Sequence, residues 1–332
     1  MTYSTGSTIV ASDYNGFANV TANANVNDVW AVGSTDKGWG QTANVSQVAV
    51  GGTVTATQWA NLVNTITAMG AQTNTTITSR TAPAAGNTIT ILANINADLT
   101  SITTNRGNAA ASGTISSTWT GNIAKLTATG SANAAWTITW TQTVTFASAD
   151  AARYFWNAGG LVRLDMSKTG NVTDTDPDWN TFVGTVGTFY LSGRVNGAAQ
   201  TIAGTSYTGF TRSGGSGTPV PNLTTTGWYT FTPGAALTTM MTLTNSTAPY
   251  TNDTISIRAN VNSTSTVLTL VTTWNDGGSA ATSTRNISGG TDTTSPYTTF
   301  GTAPAVLCRF VPPSTTYLSA SWGTPAVAST VV

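Results

Sequence analysis

Residues 135–146 read Ala135-Trp136-Thr137-Ile138-Thr139-Trp140-Thr141-Gln142-Thr143-Val144-Thr145-Phe146. The even positions are mainly large and apolar, and the odd positions are mainly Thr. Side chains alternate across a strand with period two, so this pattern predicts a strand with one face buried and the other in water. Thr is β-branched and suits the pleated surface. Related patterns at 161–166, 185–191, 228–231 and 237–243 predict further strands. Thr254–Val261 and residues 266–274 read as partners in a hairpin, because Asn262-Ser263-Thr264-Ser265 between them has hairpin length. Many short strands with turn-rich spacers point to an antiparallel β-sandwich.

Upstream of this region the character changes. Residues 1–50 are punctuated by Gly, Asn, Ser and Thr and read as loops and short extended pieces. Trp59, Leu62, Val63, Ile66 and Met69 then share one face of a helix, with Thr57 as N-cap and Gly70 as stop. Ile91, Leu92, Ile95, Leu99 and Ile102 mark a second helix, ended by Asn105 and Gly107. Similar phrases at 52–55 and 86–90 introduce the two, a weak sign of duplication. Each helix has a narrow apolar stripe and needs packing rather than propensity to hold it. The small residues Ala109-Ala110-Ala111-Ser112-Gly113 read as a linker. The expected fold is therefore mainly β: an N-terminal docking region, 1–112, with two short helices and loops, then an antiparallel β-sandwich domain, 113–332.

Only 7% of the 332 residues are charged, against about 25% in ordinary soluble domains. Glu and His do not occur, Lys stands only at Lys37, Lys125 and Lys168, and the formal net charge is +0. Such a chain has no electrostatic footprint for nucleic acid and no polybasic stretch for anionic lipid. No apolar run approaches the ~20 residues of a membrane span, and Met1-Thr2-Tyr3-Ser4 does not open a signal peptide. These features predict folding in a cytoplasm without membrane insertion. With 39% hydrophobic residues and 11 Trp, the chain has the material for a core. A neutral protein tends to associate, which suits one that assembles with its own copies. Cys308 is the single cysteine and sits among Ala305, Val306, Leu307 and Phe310, so it reads as a core residue.

The lack of His removes Ser-His-Asp and Cys-His mechanisms and imidazole-based zinc sites. No phosphate-cradling Gly-x-x-x-x-Gly-Lys motif occurs. The densest acidic cluster is Asp174-Thr175-Asp176-Pro177-Asp178-Trp179. Alternating Asp in a loop can ligate Ca²⁺, but the loop lacks the Gly and terminal Glu of an EF-hand, and a solvated turn anchored by Trp179 is the plainer reading. Asp174/Asp178 and Asp150/Asp165 could be drawn as glycosidase pairs, though twelve acidic residues make such pairs easy to find. Tyr207, Phe210 and Trp228 could stack on sugars or fill a core or interface. No catalytic, cofactor-binding or metal-binding residue is assigned, and the chain reads as a non-enzyme.

The most distinctive segment runs from Phe146 to Leu164 and contains Ser148-Ala149-Asp150-Ala151-Ala152-Arg153-Tyr154-Phe155-Trp156-Asn157-Ala158-Gly159-Gly160. It reads as strand, helical turn, Gly reversal and strand. Asp150 caps the turn, Arg153 is held by Asp150 or by backbone carbonyls, and Tyr154, Phe155 and Trp156 enter the core. This segment resembles a motif of structural proteins from tailed-bacteriophage virions, of the tail, baseplate and tail-fibre group. Further phrases similar to that group are Ile9-Val10-Ala11-Ser12-Asp13-Tyr14-Asn15, Gly38-Trp39-Gly40-Gln41, residues 50–59 with Leu62, residues 312–318, and Ser321-Trp322-Gly323. They cover most of the chain in order. The chain departs from the group at Gly70-Ala71-Gln72, where His-Gln is frequent. The resemblance implies a structural role in a virion, assembled in the host cytoplasm, with other copies of the chain and other virion proteins as partners. The alternative is a receptor- or carbohydrate-binding module of a phage appendage that contacts a host surface glycan.

With neither His nor Glu, almost nothing beyond the α-amino group titrates between about pH 5 and 8. Thermal melting curves recorded at the two ends of that window are expected to overlay. A shift of several degrees between them would expose a perturbed Asp.

Overall fold

A computed structural model describes residues 11–18, 25–84, 94–116, 136–168, 176–247, 250–277, 286–287, 290–291 and 304–332. The first fifty residues hold two helices where loops were expected, α1 (Ala11–Ala18) and α2 (Val26–Trp30). In α1, Ala11, Tyr14, Phe17 and Ala18 are buried at helical spacing, and packing overrides the poor propensity of Asn15 and Gly16. Asn25 caps α2, its side chain accepting from the Asp28 N–H at 2.9 Å. Helix α3 (Ala56–Gln72) begins earlier than expected. Thr55 rather than Thr57 is its N-cap, in a capping box with Gln58 whose Oε1 accepts from the Thr55 N–H at 2.8 Å. The helix also runs on through Gly70, where Ile77 packs so closely that an added Cβ would lie 3.1 Å from its side chain. The expected face of Trp59, Leu62, Val63, Ile66 and Met69 is buried. Helix α4 (Ile95–Thr104) buries Ile95, Leu99 and Ile102; Ile91, Leu92 and the phrase at 86–90 lie outside the described residues.

The β region follows in the order β1 (Trp136–Thr145), α5 (Ala149–Asn157), β2 (Leu161–Ser167), α6 (Asp176–Gly184), β3 (Thr188–Leu191), β4 (Gln200–Ile202), β5 (Thr205–Tyr207), β6 (Phe210–Ser213), β7 (Thr238–Thr244), β8 (Thr254–Val261), β9 (Val267–Asp276), β10 (Asn286–Ile287), β11 (Gly290–Thr291), β12 (Ala305–Val311) and β13 (Ala326–Val331). Two larger antiparallel sheets dominate, β13-β1-β9-β8-β7 and β12-β2-β3-β6. The fold is thus mainly β with a small helical N-terminal part and a sandwich-like antiparallel architecture. The segment expected as a strand at 228–231 is instead a 3-10 turn, Trp228–Thr230. The backbone N–H groups of Trp228 and Tyr229 donate to Ser192 and Gly193 oxygens at 3.0 and 3.1 Å, which holds the turn. Three or four alternating residues fit a turn as well as a strand, which is why periodicity misreads them. The expected Asp loop is also different. Asp176 and Asp178 stand at the start of α6, where Pro177 is tolerated in the first turn, and Asp174 lies outside the described residues.

In β1 the alternation is as read: Ile138, Trp140, Gln142 and Val144 are buried, while the Thr positions between them are exposed or half-buried. The buried face meets β9, α6 and the other sheet. Trp140 and Trp274 lie 5.0 Å apart, Trp274 stacks on Trp179 at 5.6 Å, and the Gln142 amide donates to the Val306 oxygen of β12 at 2.8 Å. The main hydrophobic cluster does not divide at residue 112. Tyr14, Trp39, Trp59 and Ile102 belong to it together with Trp140, Phe155 and Cys308.

Burial pushes the Cys308 thiol from 9.0 up to about 12, and burial likewise raises the Tyr14 phenol from 10.0 to about 12. Both groups are neutral when protonated, so the unfolded chain loses these protons first. Their contribution to stability is full below about pH 9 and is lost as the pH rises toward 12. Urea midpoints are expected to hold steady from pH 7 to 8.5 and to fall clearly by pH 10.5. An unchanged midpoint at pH 10.5 would show that these groups are open to solvent.

Candidate functional site

The scarce charges and the buried polar groups concentrate where the helical N-terminal part meets the sandwich. The loop after α2 brings Gly33 to Gln41 onto helix α5. Ser148 caps that helix, accepting from the Ala151 N–H at 3.0 Å. Asp150, expected as the cap, instead lies in the first turn and accepts from Arg153 Nη2 at 2.9 Å. Arg153 Nη1 donates to the carbonyl oxygens of Gly33 and Lys37. One guanidinium therefore bridges its own helix and the N-terminal loop, held both by Asp150 and by backbone carbonyls, which the sequence reading had offered as alternatives.

Trp39 is fully buried and its indole N–H donates to the Asn157 oxygen at 3.1 Å. Asn157 returns a bond from its side-chain amide to the Gly38 oxygen at 2.9 Å and accepts the Tyr229 hydroxyl at 2.7 Å. Burial raises the Tyr229 phenol above its ordinary range, so it stays a neutral donor. Gly40 has φ +67, and a Cβ there would sit 2.3 Å from the Tyr154 ring; only glycine permits both the turn and the flat contact.

Gln41 extends the seam to the far end of the chain. Its Oε1 accepts from the Ser319 N–H and hydroxyl at 2.8 and 2.7 Å, and its Nε2 donates to Ser319 and Trp39 oxygens at 3.0 and 2.9 Å. Gln72 donates to the Ala158 oxygen at 3.2 Å. Asp36 accepts Arg106 Nη2 at 2.8 and 2.9 Å and also the Asn196 N–H, which ties the end of α4 to the loop before β4. Lys37 pairs with Asp28 at 2.6 Å. A second latch lies nearby: the Asn15 side chain makes two 2.8 Å bonds to the backbone of Val48, and the Tyr14 hydroxyl donates to the Gln58 oxygen at 3.3 Å.

The other sequence candidates do not converge. Asp150 is held by Arg153, and Asp165 by Arg163 and Thr188, on separate elements. Phe210 and Trp228 are buried; Trp228 stacks on Trp156 at 5.3 Å, and Tyr207 is half-buried. Among the described residues no group of three His, Cys, Asp or Glu is placed to hold a metal ion, and no helix is long and apolar enough to cross a membrane. The segment around Arg153 stood out in the sequence, but its partners Gly33 and Lys37, the Asp36–Arg106 pair and Ser319 did not, since long-range contacts leave no local signal. The glycines flanking Trp39 were the available hint.

Fold and seam together define a mainly β, sandwich-like protein whose polar side chains here bind its own distant segments to one another. Compared with protein-family models, curated proteins and solved structures, the chain matches none.

Asn157→Ala leaves the Gly38 oxygen and the Tyr229 hydroxyl buried without their partner, so a loss of about 1–3 kcal/mol is expected. Gly40→Ala is expected to destabilise in the same range through strain and overlap with Tyr154. Asp150→Asn, at a largely exposed carboxylate, should cost less than about 1 kcal/mol. Urea denaturation of the three variants checks the ranking. Equal losses at Asp150 and Asn157 would mean that the seam is not where stability resides.

Proposed function

We propose that the chain is a structural component of a tailed-phage virion, of the tail, baseplate or a fibre, acting by self-assembly and docking to other virion proteins. One observation carries the reading. Five of the phrases that resemble the virion group contact one another, in two sets: Gly38-Trp39-Gly40-Gln41 meets the Asp150–Gly160 segment through Trp39 and Asn157 and meets Ser321 through Gln41, and Tyr14 meets Gln58. The resemblance thus falls on residues that hold the architecture together, as expected of a group related by structure rather than by a reaction. The absence of His and Glu and the near-neutral surface fit a building block. Residues 1–112 are the docking side in this reading; Val32 and Val50 there are 66% and 102% exposed, as Val220 and Val332 are at 69% and 75% in the other part.

The test is direct. Static light scattering of the purified chain at micromolar concentration is expected to give a mass that is a fixed multiple of 34.0 kDa, and electron micrographs are expected to show symmetric particles. Val32→Ser and Val50→Ser together should lower the assembled fraction without moving the melting temperature. A monomer at every concentration, with no binding to isolated virions or their parts, would count against the proposal.

A further inference from the structure

The outward face of the smaller sheet carries an arrangement that the seam does not use. In register across β12, β2, β3 and β6 stand Arg309, Arg163, Tyr190 and Thr211. Residues directly opposite on neighbouring strands bring their Cβ atoms within about 5 Å, and like charges so placed repel. Among the described residues one carboxylate attends the two guanidiniums. Asp165 accepts Arg163 Nε and Nη2 at 3.0 and 2.8 Å and the Thr188 hydroxyl at 2.8 Å. Among the described residues Arg309 has no hydrogen-bond or ion-pair partner. Two guanidiniums against one carboxylate leave one positive charge. Among the described residues Arg194 and Arg212 also lack a carboxylate but are held by backbone oxygens, and Arg258 faces Thr239 and Val271; Arg309 differs in facing a second guanidinium.

The place is a step rather than a flat face. The β4–β5 hairpin stands on the same side of the sheet, seated by Ile202 in a small cluster with Ala109 and Leu161. Tyr207 of the hairpin meets Tyr190 of the floor edge-on, with ring centroids 5.4 Å apart, and the Arg163 guanidinium lies 5.8 Å over the Tyr190 ring. Arg309, Tyr190 and Tyr207 are all partly exposed.

We propose that this step binds a carboxylated sugar residue, a uronic or sialic acid within a polysaccharide, with the carboxylate between Arg309 and Arg163 and the apolar ring face against Tyr190 and Tyr207. The residual charge of one matches a monoanion rather than a phosphate dianion. A guanidinium fork suits the planar, two-oxygen geometry of a carboxylate, and aromatic side chains with a polar tip suit a ring that is apolar on one face and hydroxylated at its rim. The inference goes beyond assembly and stands whether or not the chain is a virion component.

Saturation-transfer NMR and titration on the full chain test it, with a glucuronate-containing oligosaccharide, sialyllactose, a neutral glucose oligomer and acetate as probes. At least one carboxylated sugar is expected to bind with Kd below about 10 mM, and the neutral oligomer and acetate to bind at least tenfold more weakly. Arg309→Met should weaken binding about tenfold or more, and Arg309→Lys should recover part of it. Without ligand, Arg309→Met should melt at the same temperature or higher, since it relieves repulsion with Arg163. Silence from both carboxylated sugars, equal binding of acetate, unchanged affinity in Arg309→Met, or a melting temperature lowered by that substitution would each overturn the proposal.

Discussion

Everything in this structure depends on the meeting of Trp39 and its two glycines with the last turn of α5. The indole is fully buried, and unlike the buried indoles of Trp59, Trp156 and Trp274 its N–H has an acceptor. The Asn157 oxygen supplies it. The Asn157 side chain then serves Gly38 and Tyr229, and Arg153 one turn earlier takes the carbonyls of Gly33 and Lys37. A loop with almost no secondary structure is thereby given fixed coordinates by one helix. The turn at Trp228, the end of α4 and the C-terminal segment around Ser319 are all positioned against that loop or that helix. Because the core is continuous through this contact, the helical part is a wall of the sandwich as much as an attachment to it.

With few charges at hand, the chain cross-links itself with glutamine. Gln41, Gln72, Gln142 and Gln200 are all buried, and each donates to backbone oxygens of segments far away in sequence or on another layer. Gln200 alone joins Gly107, Trp156, Gly193 and Arg194. A primary amide carries donors and an acceptor on one side chain, so it satisfies two backbone groups at once. It also avoids the desolvation cost of a buried ion pair and is indifferent to salt and to moderate pH. The five ion pairs described do not replace this system; Asp28–Lys37, Asp36–Arg106 and Asp150–Arg153 gather around the same loop.

How much of this could be read beforehand follows from the range of the interactions. The alternation in β1, the β8–β9 hairpin, the buried face of α3 and the burial of Cys308 are local patterns, and they were legible. The helices α1 and α2 were not, because Asn15, Gly16 and the short run of α2 have weak intrinsic preference and the burial that stabilises them comes from α3. The cap of α3 was legible in principle: Thr55 stands three residues before Gln58, the spacing of a capping box, whereas Thr57 has no such partner. Of the seam, Arg153 and its neighbours announced themselves by composition, but no local signal points from Gln41 to Ser319. The Arg309–Arg163 pair is invisible in the sequence for the same reason, since strand register alone brings them face to face.

The span of these contacts has a consequence for how the molecule comes into being. Ser321 touches Trp39 across a separation of 282 residues, and β1, in the interior of the larger sheet, pairs with β13 at the very end of the described chain. Closing loops of that length is entropically demanding, and folding dominated by distant pairings is slow. A ribosome that has delivered α1 through β9 has therefore made a chain in which β1 still lacks its β13 neighbour and Gln41 lacks its clasp. A copy that stops before Ser319 can make neither contact, so the loop around Gln41 and the outer side of β1 stay open until residues 319–331 arrive.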